Sequence, residues 1–333
     1  MRFELPRISV IVPVHNNPTD LLECVSALKA SAGADTEILV VDDASTDDTM
    51  LAAQAAGVRV VELRENSGPG VARNAGVARA RGRLLFFVDS DVVVAPDALE
   101  RIRRAFDTDP ELEAVFGSYD AAPRAPGLVS QYRNLLHHFT HQQGDRAAST
   151  FWAGCGAVRR DVFEAVGGFA ARRFDGIEDL ELGVRMRRAG FRIRLDKQLQ
   201  GTHLKRWTLR SMVSTDIRRR AIPWSRLIFE TGWRPNDLNL RRGQRLSGAL
   251  SILVGCLLPL ALVWPQAALV AACMVAAVVL INRDLFAFFF RQRGAGFAIA
   301  CVPLHLLYYV YSSLTYFGVW VGTKLKLVTP ERT

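Results

Sequence analysis

The chain has 333 residues and a mass of 36.9 kDa, enough for one large domain or two smaller ones, and half of its residues are hydrophobic. Its net charge of +9 is local, because residues 205–245 hold 11 Lys and Arg against 3 Asp and Glu. No nucleic-acid recognition motif accompanies these charges, which excludes a nucleic-acid binder and favours attraction to an anionic membrane surface.

Strand and helix patterns alternate through the first part of the chain. Apolar runs bounded by turn-forming residues are typical of buried strands, and they occur at residues 8–14, 37–41, 58–63 and 84–88. Residues 19–30 have the apolar spacing of an amphipathic helix. This alternation predicts an α/β fold with a mostly parallel, doubly wound sheet.

Carboxylates follow two of the predicted strands. Asp42 and Asp43 end the second strand, and Asp89 and Asp91 come directly after the central strand. In an extended chain, Asp89 and Asp91 point to the same side, where they repel each other unless a cation lies between them. One interpretation is a metal–diphosphate site at the carboxyl ends of the strands. The alternative is an acidic turn that caps the following helix.

Small residues mark two further places where a ligand could approach the backbone. Residues 66–76 form a glycine-rich turn that opens a helix, and the free N–H groups of such a helix start suit a phosphate. Residues 151–158 are predicted to form a strand, and Trp152 and Gly154 lie within it. Residues 120–148 are interpreted as a loop or helix that faces the substrate.

A helix is predicted over residues 178–189, with a surface ion pair between Glu181 and Arg185. Glu178 and Asp179 at its start have no such partner at i+4. Either both carboxylates only interact favourably with the helix dipole, or Asp179 serves as a general base. A strand is predicted at residues 191–195. His203 then precedes the basic segment, and it is either structural or a ligand of a metal or diphosphate.

The C-terminal part is predicted to lie in and across a membrane. Residues 207–230 combine tryptophan, aliphatic residues and arginine, which is typical of interfacial helices. Residues 246–263 and 267–281 are expected to form a hairpin of two short spans with arginine-rich flanks on the cytosolic side. Residues 286–290 are interpreted as an aromatic interfacial turn. Residues 297–320 form a third segment, broken by Pro303, that either spans or is re-entrant.

The cysteines indicate a reducing compartment. Five are present, without C-x-x-C pairing or zinc spacing, and three of them fall in the apolar region. The first apolar run also lacks the small-residue cleavage site of a signal peptide. The soluble part is therefore expected in the cytosol.

Five motifs taken together resemble the family 2 glycosyltransferases with the GT-A fold, of the bacterial membrane-associated type. They occur in order over residues 5–205, and they are Pro13-Val14-His15-Asn16, Asp42-Asp43-x-Ser45-x-Asp47-x-Thr49, Gly68-Pro69 with Ala72-Arg73-Asn74-x-Gly76, Asp89-Ser90-Asp91 and Glu178-Asp179. The resemblance implies a Rossmann-like catalytic domain and an inverting transfer from a nucleotide-diphosphate sugar, linked to UDP or GDP, with Mn²⁺ or Mg²⁺ as cofactor.

The resemblance also implies roles for individual residues. Pro13, Asp42 and Asp43 would line the nucleobase and ribose pocket, with Arg73 beside the base. Asp89 would face the ribose or the metal, and Asp91 would bind the metal that bridges the diphosphate. Asp179 would take the proton from the acceptor hydroxyl. Three residues, Trp152, Gly154 and Glu178, are assigned to the acceptor side.

The chain differs from the processive members of the family at one five-residue motif. Where those carry Q-x-x-R-W, this sequence has His203-Leu204-Lys205-Arg206-Trp207. Together with the expectation that no span precedes the catalytic domain, this argues against a polymer-extruding synthase. His203 could serve as a third metal or diphosphate ligand. Trp207 could stack on a sugar on the acceptor side, but an interfacial anchor is favoured.

The predicted organisation is a GT-A domain at 1–204, an interfacial segment at 205–245, a transmembrane region at 246–323 and a tail at 324–333. The predicted function is sugar transfer to a lipid or lipid-linked acceptor at the cytosolic face of the inner membrane, by a multi-pass protein. The alternatives are a polyisoprenyl-phosphate sugar synthase, a nucleotidyltransferase and a non-catalytic membrane scaffold. A nucleotidyltransferase would need a basic glycine-rich loop after the first strand, where this chain has His15-Asn16-Asn17-Pro18.

Overall fold

The computed structural model describes residues 5–170, 174, 176–232 and 242–325. It divides into two compact units, the first comprising Met1–Arg124 and His141–Lys205, the second Ala125–Thr140 and Arg206–Thr333. The first unit ends one residue from the predicted boundary at 204. It is interrupted, however, because residues 125–140 belong with the C-terminal unit. Most of the predicted tail at 324–333 lies outside the described residues.

The N-terminal unit is built on one eight-stranded sheet. Its strands are β1 (Ile8–Val14), β2 (Thr36–Asp42), β3 (Arg59–Glu62), β4 (Leu84–Val88), β5 (Val92–Val94), β6 (Ala114–Tyr119), β7 (Cys155–Arg159) and β8 (Ile193–His203), in the order β3-β2-β1-β4-β7-β6-β8-β5. The pairs β1–β2, β1–β4, β2–β3 and β6–β8 are parallel, and the pairs that β7 and β5 make are antiparallel. The predicted α/β fold with a mostly parallel sheet is therefore confirmed.

Helices cover the sheet and explain why its central strands are apolar without interruption. Those of this unit are α1 (Pro18–Ser31), α2 (Thr49–Ala55), α3 (Pro69–Arg79), α4 (Ala98–Thr108), α6 (Arg160–Ala165) and α7 (Glu178–Arg188). Alternate residues of β4 enter different apolar clusters, with Phe86 in one and Phe87 in the other. Since successive side chains of a strand point to opposite faces, both faces of the sheet are buried.

Two strands differ from their predicted extents. The strand predicted at 151–158 begins only at Cys155, and the strand predicted at 191–195 runs from Ile193 to His203. The polar residues in the middle of β8 resemble a turn in the sequence, but the strand is only half buried and alternates between faces. Its extension matters for the site, because it carries His203 back along the sheet to pair with Val92.

The described residues of the C-terminal unit are mostly helical. The helices are α5 (Leu128–Gln143, up to Thr140 in this unit), α8 (Leu209–Asp216), α9 (Ile222–Thr231), α10 (Arg242–Leu260), α11 (Pro265–Ile281) and α12 (Arg283–Lys324), with a π-helical turn at Ile217–Ala221. The segment predicted as a loop or helix at 120–148 is thus largely α5. Two stretches, Gly243–Leu260 and Arg283–Lys324, are long and apolar enough to cross a membrane, and Pro265–Ile281 is a shorter apolar helix.

Polar side chains in this apolar unit pair with one another. The Tyr309 hydroxyl donates a hydrogen bond to Asn282 Oδ1 at 2.8 Å, and Asn282 Nδ2 donates to Ser247 Oγ at 3.0 Å, which joins α10 and α12 at the end of α11. Arg133 pairs with the buried carboxylate of Asp216. Such internal pairing is required where water cannot reach the polar groups.

Two predictions for the apolar segments of this unit were wrong in detail. The third apolar segment, residues 297–320, does not break at Pro303, which lies inside α12. The non-helical residue of α12 is Gly294, before that segment, with a φ of 82° and a ψ of 176°. Glycine lacks a Cβ and adopts a positive φ without strain, whereas proline removes a single N–H from a helix that continues around it. The aromatic residues at 286–290 are helical and do not form a turn.

Trp207 does not occupy the exposed position that the predicted interfacial anchor requires. Its side chain is 3% exposed, and its indole Nε1–H donates to Asn134 Oδ1 at 3.1 Å. Its backbone N–H donates to Ser130 Oγ at 2.8 Å. Trp207 therefore packs against α5 inside the C-terminal unit.

Candidate functional site

The acidic turn after β4 is held in place by its backbone. The Asp89 N–H donates to the Gly154 carbonyl at 3.2 Å, and the Asp91 carbonyl accepts from the Leu204 N–H at 2.9 Å. Both carboxylates therefore lie at the carboxyl end of the central strand, between the chain segments that enter β7 and leave β8. This is the end of the sheet at which the sequence predicted a ligand site.

Asp91 and His203 lie together at this end of the sheet. The antiparallel pairing of β5 with β8 sets Val92 opposite His203, and His203 Nε2 lies 3.4 Å from Asp91 Oδ2. Burial opposes the ionisation of Asp91, but His203 and Lys205 outweigh it and hold the pKa of this carboxyl below its ordinary value. The pair thus offers an anionic oxygen and an imidazole nitrogen to one ligand.

The Tyr119 ring stacks on the His203 ring. Their centroids are 4.3 Å apart and the planes are 12° from parallel. The sequence does not mark Tyr119 as a site residue, because nothing in the chain order links the end of β6 to His203. The register of β6 beside β8, with Tyr119 opposite Gly201, is what brings them together.

Arg73 joins the acidic turn to the start of α7. Its Nη2 lies 2.6 Å from Asp89 Oδ1 and its Nη1 lies 2.6 Å from Glu178 Oε1, with the guanidinium over the Phe169 ring. The side chain is buried, which alone would lower its pKa, but the two carboxylates raise it. Arg73 was expected beside a nucleobase. In this structure it is the counter-ion of two predicted site residues, one of which, Glu178, had no evident partner in sequence.

Asp179 is partly buried at the first turn of α7. Its Oδ2 accepts from the Ala153 N–H at 3.0 Å, and its Oδ1 accepts from the Leu180 N–H at 2.8 Å. Burial and the neighbouring Glu178 charge raise the pKa of Asp179 to about 7, against the opposing effect of Arg73. A carboxyl with this pKa can accept a proton near neutral pH, as a general base must.

We expect Glu178→Gln to lower the pKa of Asp179. The amide keeps an oxygen for Arg73 Nη1 but removes the negative charge that opposes ionisation of Asp179. A shift on the order of one pH unit is expected for a like charge at this range. A ¹³C-carboxyl NMR titration of selectively labelled aspartate measures it.

Glu181→Gln is the matched control, because Glu181 lies on the same helix and pairs with Arg185 at 2.7 Å. The Glu181 variant should leave the pKa of Asp179 unchanged. Equal shifts in the two variants would contradict the assignment of the effect to the Glu178 charge.

The residues predicted to line the nucleotide pocket lie at the carboxyl ends of β1 and β2. Asp43 accepts from the Ser67 and Gly68 N–H groups, each at 2.8 Å, so it holds the start of α3. Asp42 Oδ2 accepts from the Ser45 N–H at 3.2 Å, and its buried Oδ1 has no hydrogen-bond partner among the described residues. Pro13 lies in β1, paired with Val41. Asp42 Oδ1 is thus an acceptor atom available to a ligand.

The residues assigned to the acceptor side divide between the units. Gly154 gives room to Trp152, because a Cβ at position 154 would lie 2.5 Å from the indole ring. Trp152 in turn packs against Tyr119, with 4.7 Å between the ring centroids. Glu178 contacts Arg73, as described above. Trp207 belongs to the C-terminal unit.

The donor atoms of Asp91 and His203 fit a divalent ion. Across the residues that the structure describes, no three His, Cys, Asp or Glu side chains form a ready-made metal centre. Two adjacent donors, an oxygen and a nitrogen, suit Mn²⁺ or Mg²⁺ when the substrate's phosphate oxygens and water supply the other ligands. Asp89 is a less direct candidate, because its Oδ1 is bound by Arg73.

Comparison with known sequences identifies the domain. Residues 9–167 match the model of glycosyl transferase family 2. The chain is 37% identical over 102 residues to the succinoglycan biosynthesis protein ExoO of Rhizobium meliloti, and 32% identical over 117 residues to glycosyltransferase GlyG of Streptococcus pneumoniae. These matches cover 30% and 34% of this chain, and they span only 29% and 38% of the two relatives.

Solved structures show the same fold. The mannosyltransferase PcManGT from Pyrobaculum calidifontis, in complex with GDP-Man and Mn²⁺, matches with a TM-score of 0.60 and 20% identity over 95% of this chain and 88% of that one. Glucosyl-3-phosphoglycerate synthase from Mycobacterium tuberculosis, in complex with Mg²⁺ and UDP, matches with a TM-score of 0.50 and 22% identity over 68% and 80%. Residues 9–167 are thus similar to glycosyl transferase family 2, and the N-terminal unit has a GT-A-like α/β fold.

Proposed function

We propose that the protein is an inverting glycosyltransferase that moves a sugar from a nucleotide-diphosphate donor to a hydroxyl of a lipid or lipid-linked acceptor. One observation carries the proposal. The Ala153 N–H binds Asp179, and the adjacent Gly154 carbonyl binds the backbone of Asp89. Two consecutive residues thus hold the candidate base and the candidate metal turn at the same end of the sheet.

The donor side is proposed at Asp91 and His203. These two side chains would hold Mn²⁺ or Mg²⁺, and the bound ion would neutralise the charge that develops on the leaving diphosphate. The mannosyltransferase with GDP-Man and Mn²⁺ and the synthase with UDP and Mg²⁺ support a divalent ion beside a nucleotide donor. The free Oδ1 of Asp42 is the proposed acceptor atom for a hydrogen bond from the nucleoside.

The acceptor side is proposed at Asp179. An uncharged sugar hydroxyl is a weak nucleophile at neutral pH, and a positioned base raises its reactivity. Asp179 would take the hydroxyl proton as the oxygen attacks the anomeric carbon on the face opposite the diphosphate. Arg73 and Glu178 contact each other at 2.6 Å. Their charges would set the pKa of Asp179, which Glu178 raises and Arg73 lowers.

A membrane location is proposed from the C-terminal unit. Large apolar side chains on its helices remain exposed there, among them Leu280 at 69% and Ile299 at 70%. Exposed apolar surface on helices of this length fits lipid contact. The basic residues before α10 favour the cytosolic side of the inner membrane and a multi-pass arrangement. Similarity to a succinoglycan biosynthesis protein and to a chondroitin synthase of Escherichia coli supports a role in envelope polysaccharide.

The purified protein, assayed with Mn²⁺, a panel of radiolabelled UDP- and GDP-sugars and a lipid extract of its own host, tests the proposal. We expect nucleotide release that depends on the lipid, with label recovered in the organic phase. EDTA should abolish it, and Mn²⁺ or Mg²⁺ should restore it. Turnover that persists in EDTA would contradict the metal-dependent mechanism. Absence of turnover with every donor and lipid fraction would contradict a lipid acceptor.

A further inference from the structure

The two proposed metal-binding residues differ in how firmly their donor atoms are placed. Asp91 sits in a turn whose backbone is bonded on both sides. His203 is the last residue of β8, and the terminal torsion of a histidine ring is broad. At 3.4 Å, the distance from His203 Nε2 to Asp91 Oδ2 is at the long end of hydrogen bonding, so this contact orients the imidazole only weakly.

The Tyr119 ring constrains the orientation of the His203 ring directly. It is 7% exposed and His203 is 4% exposed, so their stacked rings pack in the interior. The Tyr119 ring is itself held, because the Trp152 ring packs against it with an angle of 70° between the two ring planes. Rotation of the imidazole about its terminal torsion would drive it into the face of Tyr119. The stack therefore restricts the His203 ring to one plane, the plane in which Nε2 lies 3.4 Å from Asp91 Oδ2.

We propose that Tyr119 is a positioning residue for the divalent ion: its ring holds the His203 imidazole in the plane in which Nε2 and the Asp91 carboxylate can bind one metal together. This rests on the proposed function, which places the metal at Asp91 and His203. It adds a residue from β6, a strand that lies outside the metal-binding turn. Residues that orient a metal-bound histidine commonly contribute 10–100-fold to metal affinity.

The test is the binding of Mn²⁺ alone to the purified full-length protein, followed by electron paramagnetic resonance. The free Mn²⁺ signal gives the affinity, and ¹⁴N coupling in pulsed spectra reports coordination by an imidazole. We expect Tyr119→Leu to weaken Mn²⁺ binding about tenfold or more and to reduce the ¹⁴N coupling. Tyr119→Phe keeps the ring and should retain both. His203→Ala should lack the ¹⁴N coupling altogether.

Phe116→Leu is the matched control for loss of a buried ring. Phe116 lies on the same strand and is 4% exposed, but its ring contacts are with Phe151 and His141. Equal Mn²⁺ weakening in Tyr119→Leu and Phe116→Leu would overturn the inference, as would wild-type affinity in Tyr119→Leu. If thermal unfolding shows that Tyr119→Leu is misfolded, Tyr119→Met takes its place in the experiment. The flexible methionine side chain fills the space of the ring.

The outcomes separate this inference from the function on which it rests. Wild-type protein that binds Mn²⁺ with ¹⁴N coupling, beside a Tyr119→Leu variant that binds equally well, overturns the role of Tyr119 and leaves the proposed metal site intact. Wild-type protein that binds Mn²⁺ without ¹⁴N coupling overturns the assignment of His203, and with it the role of Tyr119.

Discussion

Replacing Asp179 by asparagine is expected to slow transfer to a hydroxyl acceptor by about 10²–10⁴-fold, the usual contribution of a positioned general base. The amide retains an oxygen for the Ala153 N–H, so α7 and residue 153 should stay in place. What is lost is the group that takes the proton. Donor affinity should change little, because Asp179 makes none of the contacts assigned to the metal or nucleotide. Measurements of kcat and of donor KM separate these effects.

The pH dependence of kcat/KM, compared between the wild type and the Asp179→Asn variant, gives a second, independent readout. With a pKa of about 7, Asp179 is charged above that pH, so wild-type kcat/KM should rise through pH 7 and then level off. The asparagine variant should lack this rise. The folded-state pKa of Asp179 lies above that of an unfolded aspartate. The contribution of Asp179 to the free energy of unfolding should therefore fall as the pH increases from about 4 through 7. At pH 8 the variant should therefore be at least as stable as the wild type.

Asp161→Asn is a suitable control for this substitution. Asp161 occupies the first turn of α6 and is exposed, with a hydrogen bond to the neighbouring Val162 N–H. Its replacement should leave turnover unchanged. Undiminished turnover in Asp179→Asn would instead indicate an acceptor that is already an anion, as in a polyisoprenyl-phosphate sugar synthase, where no base is required.

The second large effect is expected from Asp91→Ala. Removing this carboxylate leaves His203 as the other proposed metal ligand, and loss of several kcal/mol of charge stabilisation corresponds to a fall in kcat/KM of about 10³-fold. The apparent affinity for Mn²⁺ should fall with it, and higher Mn²⁺ should restore turnover only in part. Titration of nucleotide release against Mn²⁺ concentration measures both quantities.

Asp97→Ala is the control for the loss of an acidic side chain in this stretch. Asp97 is exposed and forms an ion pair with Arg101 on the first turn of α4, which contributes little in solvent. It should behave as the wild type in both measurements. If the Asp91→Ala variant had the same Mn²⁺ dependence as the wild type, Asp91 would not be a ligand of the metal. The proposed transfer reaction would then need another metal ligand.

Local pattern was a reliable guide where neighbouring residues decide structure. Apolar runs bounded by turn-forming residues predicted β1, β2, β3 and β4, and the i, i+4 spacing predicted the Glu181–Arg185 pair that the structure contains. The pattern failed where tertiary contacts decide. β8 continues through polar residues because β6 and β5 lie on its two sides, and Trp207 is buried because α5 packs over it.

The sequence by itself determined the α/β class, the presence of acids after the second and central strands, and the apolar C-terminal helices, because each depends on residues close together in the chain. Only the tertiary structure decided which side chains of the site contact one another. Arg73 and Glu178 are 105 residues apart in sequence, and their contact exists only once α3 and α7 are placed. The pKa of Asp179 and the stacking of Tyr119 on His203 arise in the same way, since burial and neighbouring charges are properties of the folded sheet.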